Sequence, residues 1–106
     1  MYAVGTSQHG IYSLWTQTVV AYVVGAAMAE PISPAAGLLG ERVRARRQAL
    51  GLSQEALAHQ IGIHWTFLGQ IERGQRNLSL HNLLKVAKGL GVDPAELVEG
   101  LKPPKQ

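Results

Sequence analysis

The feature that most constrains this 106-residue chain is a device repeated along its second half. A helix-capping residue is preceded by an apolar side chain and followed, four positions on, by another. Ser53 has Leu52 and Leu57, His64 has Ile63 and Leu68, Ser79 has Leu78 and Leu83, and Asp93 has Val92 and Leu97. In such a staple the cap accepts a free N–H of the first turn, while the two apolar groups fix the angle of entry. The last start adds Pro94 at the first helical position and Glu96 as the reciprocal half of a capping box. Gly51, Gly62, Gly74, Gly91 and Gly100 fall where the segments should end. Ahead of these starts, Leu39, Val43 and Leu50 share one side of a further helix. The spacing predicts helices over 38–50, 54–61, 65–73, 80–90 and 94–99, and no segment alternates like a strand. Short connections make this an all-α, compact five-helix cluster. Its expected core is Leu50, Leu57, Ala58, Ile61, Leu68, Ile71, Leu83, Leu84, Ala87, Leu90 and Leu97.

Charge divides the chain into unlike pieces. The first 29 residues carry none, whereas the stretch from Gly37 onward holds ten basic and six acidic residues, a net +4. With no cysteine, disulfide frameworks, thiolate zinc sites and cysteine nucleophiles are excluded. Val19 to Ala29 is an almost unbroken apolar run with small residues at its end, as in a secretory leader. No Lys or Arg precedes it, however, and it falls short of the ~20 apolar residues that span a bilayer. Neither a membrane nor export is expected. Residues 1–36 are expected to form a poorly structured extension, flexible or the artefact of a start site upstream of Met28, with an added strand or dimer arm as the alternative. The folded domain is placed at 37–101 and a tail at 102–106. A folded part of about 70 residues lies near the lower limit for a self-sufficient core, so it must pack well or dimerise.

The second and third helices are joined by Gly62, Ile63 and His64, with Ala58 four residues before that glycine and Leu68 and Ile71 six and nine after it. This is helix-turn-helix spacing: a small residue at the crossing, a turn that needs positive φ, and two anchors that leave the opposite face of the second helix outward. Here the sequence resembles the Cro and phage-repressor type of helix-turn-helix protein, from Leu38 to about Leu101. The run Gly51-Leu52-Ser53-Gln54-Glu55-Ala56-Leu57-Ala58 looks like the family's second helix, and Ile71-Glu72-Arg73-Gly74 with Arg76-Asn77-Leu78-Ser79-Leu80 looks like its recognition-helix exit. Within the family the run His64, Thr66, Glu72-Arg73-Gly74, Arg76-Asn77 and Ser79-Leu80 is most similar to restriction–modification controller proteins, and antitoxins and phage-like repressors share much of it.

The resemblance implies a Cro/repressor-like DNA-binding domain and assigns roles to residues. Base reading would fall on Trp65, Thr66, Gly69 and Gln70. Gln70 suits an adenine edge, and Thr66 suits a base edge or a thymine methyl. Trp65 departs from the polar or basic residue usual at its position. Backbone contacts would come from Gln54, Arg73, Arg76 and Asn77, and Arg47 with Glu72 would tie the first helix to the recognition helix. Of the arginines at 42, 44, 46 and 47, most are expected to form a solvated face. Trp65 and Phe67 could alternatively form a partly buried aromatic pair or a partner patch. His59, His64 and His81 lack a third ligand at helical spacing, so no metal or other cofactor is expected, and no nucleophile and base stand together. The expected function is a non-enzymatic, cytoplasmic, nucleoid-associated regulator that binds double-stranded DNA as a homodimer, with Val98 and Leu101 in the dimer patch. The alternative is an antitoxin-like module that neutralises a protein partner. A toxin or RNA polymerase is the protein partner considered.

Overall fold

In the computed structural model, residues 30–105 are described; the expectations for the apolar run and for Met28 lie outside them. The described residues form five helices and no strand: α1 (Pro34–Ala49), α2 (Gln54–Ile61), α3 (Trp65–Glu72), α4 (Leu80–Leu90) and α5 (Pro94–Val98). All four stapled caps act as expected. The Ser53, His64, Ser79 and Asp93 side chains accept from the N–H groups of Ala56, Thr66, Asn82 and Ala95 at 3.0, 3.1, 3.1 and 2.8 Å. The Asp93 N–H donates in return to the Glu96 carboxylate at 3.1 Å.

The first helix departs from expectation. It starts at Pro34, four residues before the expected 38, because Ser33 caps it, accepting from the Ala36 N–H at 3.1 Å, with Pro34 at the first helical position. The apolar stripe begins later than this Ser-Pro signal, and periodicity alone therefore places the start too late. The ends of α1, α3 and α5 each fall one residue earlier than expected, at Ala49, Glu72 and Val98.

The core consists of Leu39, Val43, Leu57, Ala58, Leu68, Ile71, Val86, Ala87, Leu90 and Leu97. Two expected members are instead on the surface: Leu50 and Leu84 are each 43% exposed. Leu50 is the C-cap of α1, past its last turn, and Leu84 lies on the outer side of α4, whose inward face is built by Val86, Ala87 and Leu90. Ile61 and Leu83 are half-buried against this core.

The basic face of α1 is also less solvated than expected. Arg42 Nη1 donates to the Leu97 and Glu99 carbonyls at 3.0 and 2.7 Å, and Arg46 Nε donates to the Leu90 carbonyl at 3.1 Å. These are orphan acceptors at the C-terminal ends of α5 and α4, where a cation is favoured. Arg44 and Arg46 remain exposed, whereas Arg42 is half-buried and Arg47 is buried. α1 passes very close to the end of α3. A Cβ on Gly40 would press on the Ile71 carbonyl oxygen and come within 2.5 Å of that of Glu72.

Candidate nucleic-acid interface

The site is built from α2, the turn and α3. Ala58 is buried where the helices cross, and the Ile63 N–H returns to its carbonyl at 3.0 Å. Gly62 makes that return possible at φ +70°, a conformation in which a Cβ would be strained. On α3 the inward anchors Leu68 and Ile71 are fully buried. The remaining periodicity turns Trp65, Thr66 and Gln70 outward. Trp65 is 53% exposed and its ring stacks on His64, with centroids 5.9 Å apart and planes at 24°. Phe67, by contrast, is half-buried against the core.

Gly69 differs from the other three residues expected to read bases. It is buried, and a Cβ there would lie 3.2 Å from the Arg73 guanidinium and 3.6 Å from the Gln54 carboxamide oxygen. It offers no side chain to a base, and its small size lets Gln54 and Arg73 lie across the helix.

Behind this face, Arg47 and Glu72 form a buried ion pair. Arg47 Nε donates to Glu72 Oε2 at 2.6 Å and Nη2 donates to Oε1 at 3.0 Å. Gln54 Nε2 adds a third bond to Oε1 at 3.0 Å, and Arg47 Nη1 donates to the Leu52 carbonyl at 2.7 Å. The Arg47 pKa is pushed above its ordinary value, first by the hydrogen bond to Glu72, while burial works in the opposite direction. Gln54, expected to touch a DNA backbone, thus has its side-chain amide committed to the ion pair.

The exit of α3 supplies the positive rim. Arg73 Nε donates to the Gln75 carboxamide oxygen at 3.3 Å, and Arg76 Nε donates to that of Gln70 at 2.8 Å. The Arg76 guanidinium carbon also sits 5.3 Å from the Phe67 ring centroid. Gln54, Gly69 and Arg73 therefore converge, as do Gln70 and Arg76. Asn77 stands apart, exposed beside Leu78 in the loop that leads to α4. Sequence reasoning missed Phe67 and Gln75 as supports for the two arginines. For Phe67, the signal available was its place three residues before Gln70, on the same side of the helix. Among the described residues no three His, Cys, Asp or Glu side chains cluster as a metal site would require, and no helix is long and apolar enough to cross a membrane.

Comparison with known proteins agrees with this geometry. A family model described as helix-turn-helix matches residues 43–97. The control protein C.BamHI of Bacillus amyloliquefaciens is 44% identical over 63 residues, which cover 58% of this chain and 78% of that protein. Among solved structures, the restriction-modification controller protein C.AhdI from Aeromonas hydrophila superposes with a TM-score of 0.57 at 48% identity, over 58% of this chain and 94% of the other. The c2 repressor of Salmonella phage P22, solved in complex with a synthetic operator, superposes with a TM-score of 0.57 at 38% identity, over 59% and 96%.

Proposed function

The chain belongs to the helix-turn-helix family of DNA-binding transcriptional regulators, which are not enzymes, and on that premise we propose that it binds a pseudopalindromic operator as a homodimer, in the manner of a controller protein. The observation that carries this reading is the outward face of α3. Thr66 is exposed and Gln70 half-buried on the side of α3 opposite the buried anchors Leu68 and Ile71, and Arg73 and Arg76 flank them. Side chains with mixed donors and acceptors suit base edges in a major groove, and arginines at its margins suit phosphates. The similarity to control proteins and to a repressor solved on its operator supports the same reading. The cytoplasm, at the nucleoid, is where such a protein would act.

Two measurements test it. Gln70→Ala should weaken binding to a selected operator by about 1–3 kcal/mol and leave binding to a scrambled duplex nearly unchanged. Arg73→Ala should weaken both, and should flatten the dependence of log affinity on log salt by about 0.9 for each phosphate no longer neutralised, twice over in a dimer. Equal weakening of both duplexes by Gln70→Ala would remove it from the base readers and dock α3 differently.

A homodimer is proposed because one recognition helix reads too few base pairs alone. Leu80, Leu84 and Val98 are exposed apolar residues on α4 and α5, and the expected patch member Leu101 is instead half-buried against the core. An isologous contact through Val98 would bring it near its own copy, where a carboxylate is repelled. Val98→Glu should therefore convert a sedimenting dimer to monomer. A tight dimer unaltered by that substitution would place the interface on another surface.

A further inference from the structure

We propose that Arg76 is a positioning residue that fixes which end of the Gln70 carboxamide meets a base, and so sets the base preference at that position. The inference rests on the reading of α3 as the base-contacting helix. A glutamine carboxamide has an acceptor oxygen and a donor NH2 of nearly the same shape, and a half-turn about its last torsion exchanges them. An unheld glutamine therefore offers two opposite hydrogen-bond patterns to a groove. Here the oxygen is held, because Arg76 Nε donates to Gln70 Oε1 at 2.8 Å. Arginine has donors only, so the flipped state would set an NH2 against N–H groups and is excluded. The arginine in turn is steadied by the Phe67 ring, 5.3 Å from its guanidinium carbon, and Phe67 packs on the core.

The consequence is chemical. With one lone pair of Oε1 taken by Arg76, Gln70 presents a donor NH2 beside a single remaining acceptor lone pair, in one fixed order. That order complements the N7 acceptor and N6 amino donor of adenine. It opposes guanine, whose O6 and N7 are both acceptors, because the held oxygen would face O6. Arg76 can still reach a phosphate through its other N–H groups, and the two roles leave different traces. Removing a bond to phosphate lowers affinity for every duplex and flattens the salt dependence. Removing the hold on Gln70 lowers discrimination between bases, which a backbone contact does not touch.

The test is a double-mutant cycle of Gln70→Ala and Arg76→Ala in the full chain. It is titrated on a selected operator and on duplexes that differ from it by one adenine-to-guanine change at each contacted position, at several salt concentrations. At one position, Arg76→Ala should reduce the preference for adenine about tenfold. The same change in the Gln70→Ala background should leave the remaining preference unaltered. If Arg76→Ala lowers affinity and salt slope but preserves every base preference, or if the two reductions in preference add, the positioning role is overturned while the reading of α3 stands. If Gln70→Ala alone changes no base preference, both the reading and the inference fall.

Discussion

Glu72→Ala is expected to cost about 3–5 kcal/mol, a large part of the stability of a domain this small. The Glu72 side chain is 2% exposed and accepts three hydrogen bonds, two from Arg47 and one from Gln54. Truncation leaves a buried guanidinium bonded to the neutral Leu52 carbonyl, and strips the Gln54 amide of its acceptor. An uncompensated buried charge is what makes breaking such a pair costly, whereas an exposed pair is worth about 0–1 kcal/mol. Urea denaturation decides the matter, and a loss below about 1 kcal/mol would mean that the pair is effectively solvated. Replacing both members, as in Arg47→Met with Glu72→Leu, should recover most of the loss, because then no charge is left without a partner.

Gly40→Val should be nearly as damaging, at about 3 kcal/mol, for a reason unrelated to charge. A Cβ at this position meets the carbonyl oxygens of Ile71 and Glu72, which are backbone atoms that cannot swing aside as a side-chain tip would. α1 and the end of α3 must separate, and Arg47 lies on that same helix, so the displacement reaches the ion pair as well. Gly91→Ala is the useful contrast. Its φ is +68° but nothing lies within 4 Å of an added Cβ, so only the backbone penalty of about 1 kcal/mol remains. Melting curves should separate the two, since each kcal/mol moves the midpoint of a domain this size by roughly 4–8 °C.

How much of this is legible in the sequence depends on the range over which each feature is determined. The four stapled caps and the turn at Gly62 are local, set by residues within four positions of one another, and they can be read directly. The inward face of α4 is harder, and sequence reasoning misplaces Leu84 on it, because Leu83, Leu84, Val86 and Ala87 offer two overlapping stripes and only the neighbouring helices choose between them. Resemblance names candidate site residues, yet it does not show what holds them. That Arg76 reaches Gln70 rather than solvent, and that the Gln54 amide joins the ion pair, depends on where a loop and a second helix come to rest. The same is true of Arg42 and Arg46, whose acceptors lie 55 and 44 residues away along the chain.

Those two arginines, with Arg47, give α1 a role in how the domain comes apart. From a single helix they hold the terminal carbonyls of α4 and α5 and the last residue of α3. None of those three helices can release its C-terminal end without also breaking a bond to α1. Partial openings, in which one helix peels away while the rest stays folded, are thereby disfavoured, and the amides of α1 should be freed for exchange only when the whole unit unfolds. A regulator of this build would present its reading helix in one orientation for as long as it is folded at all, and would be removed from service by a single cooperative event.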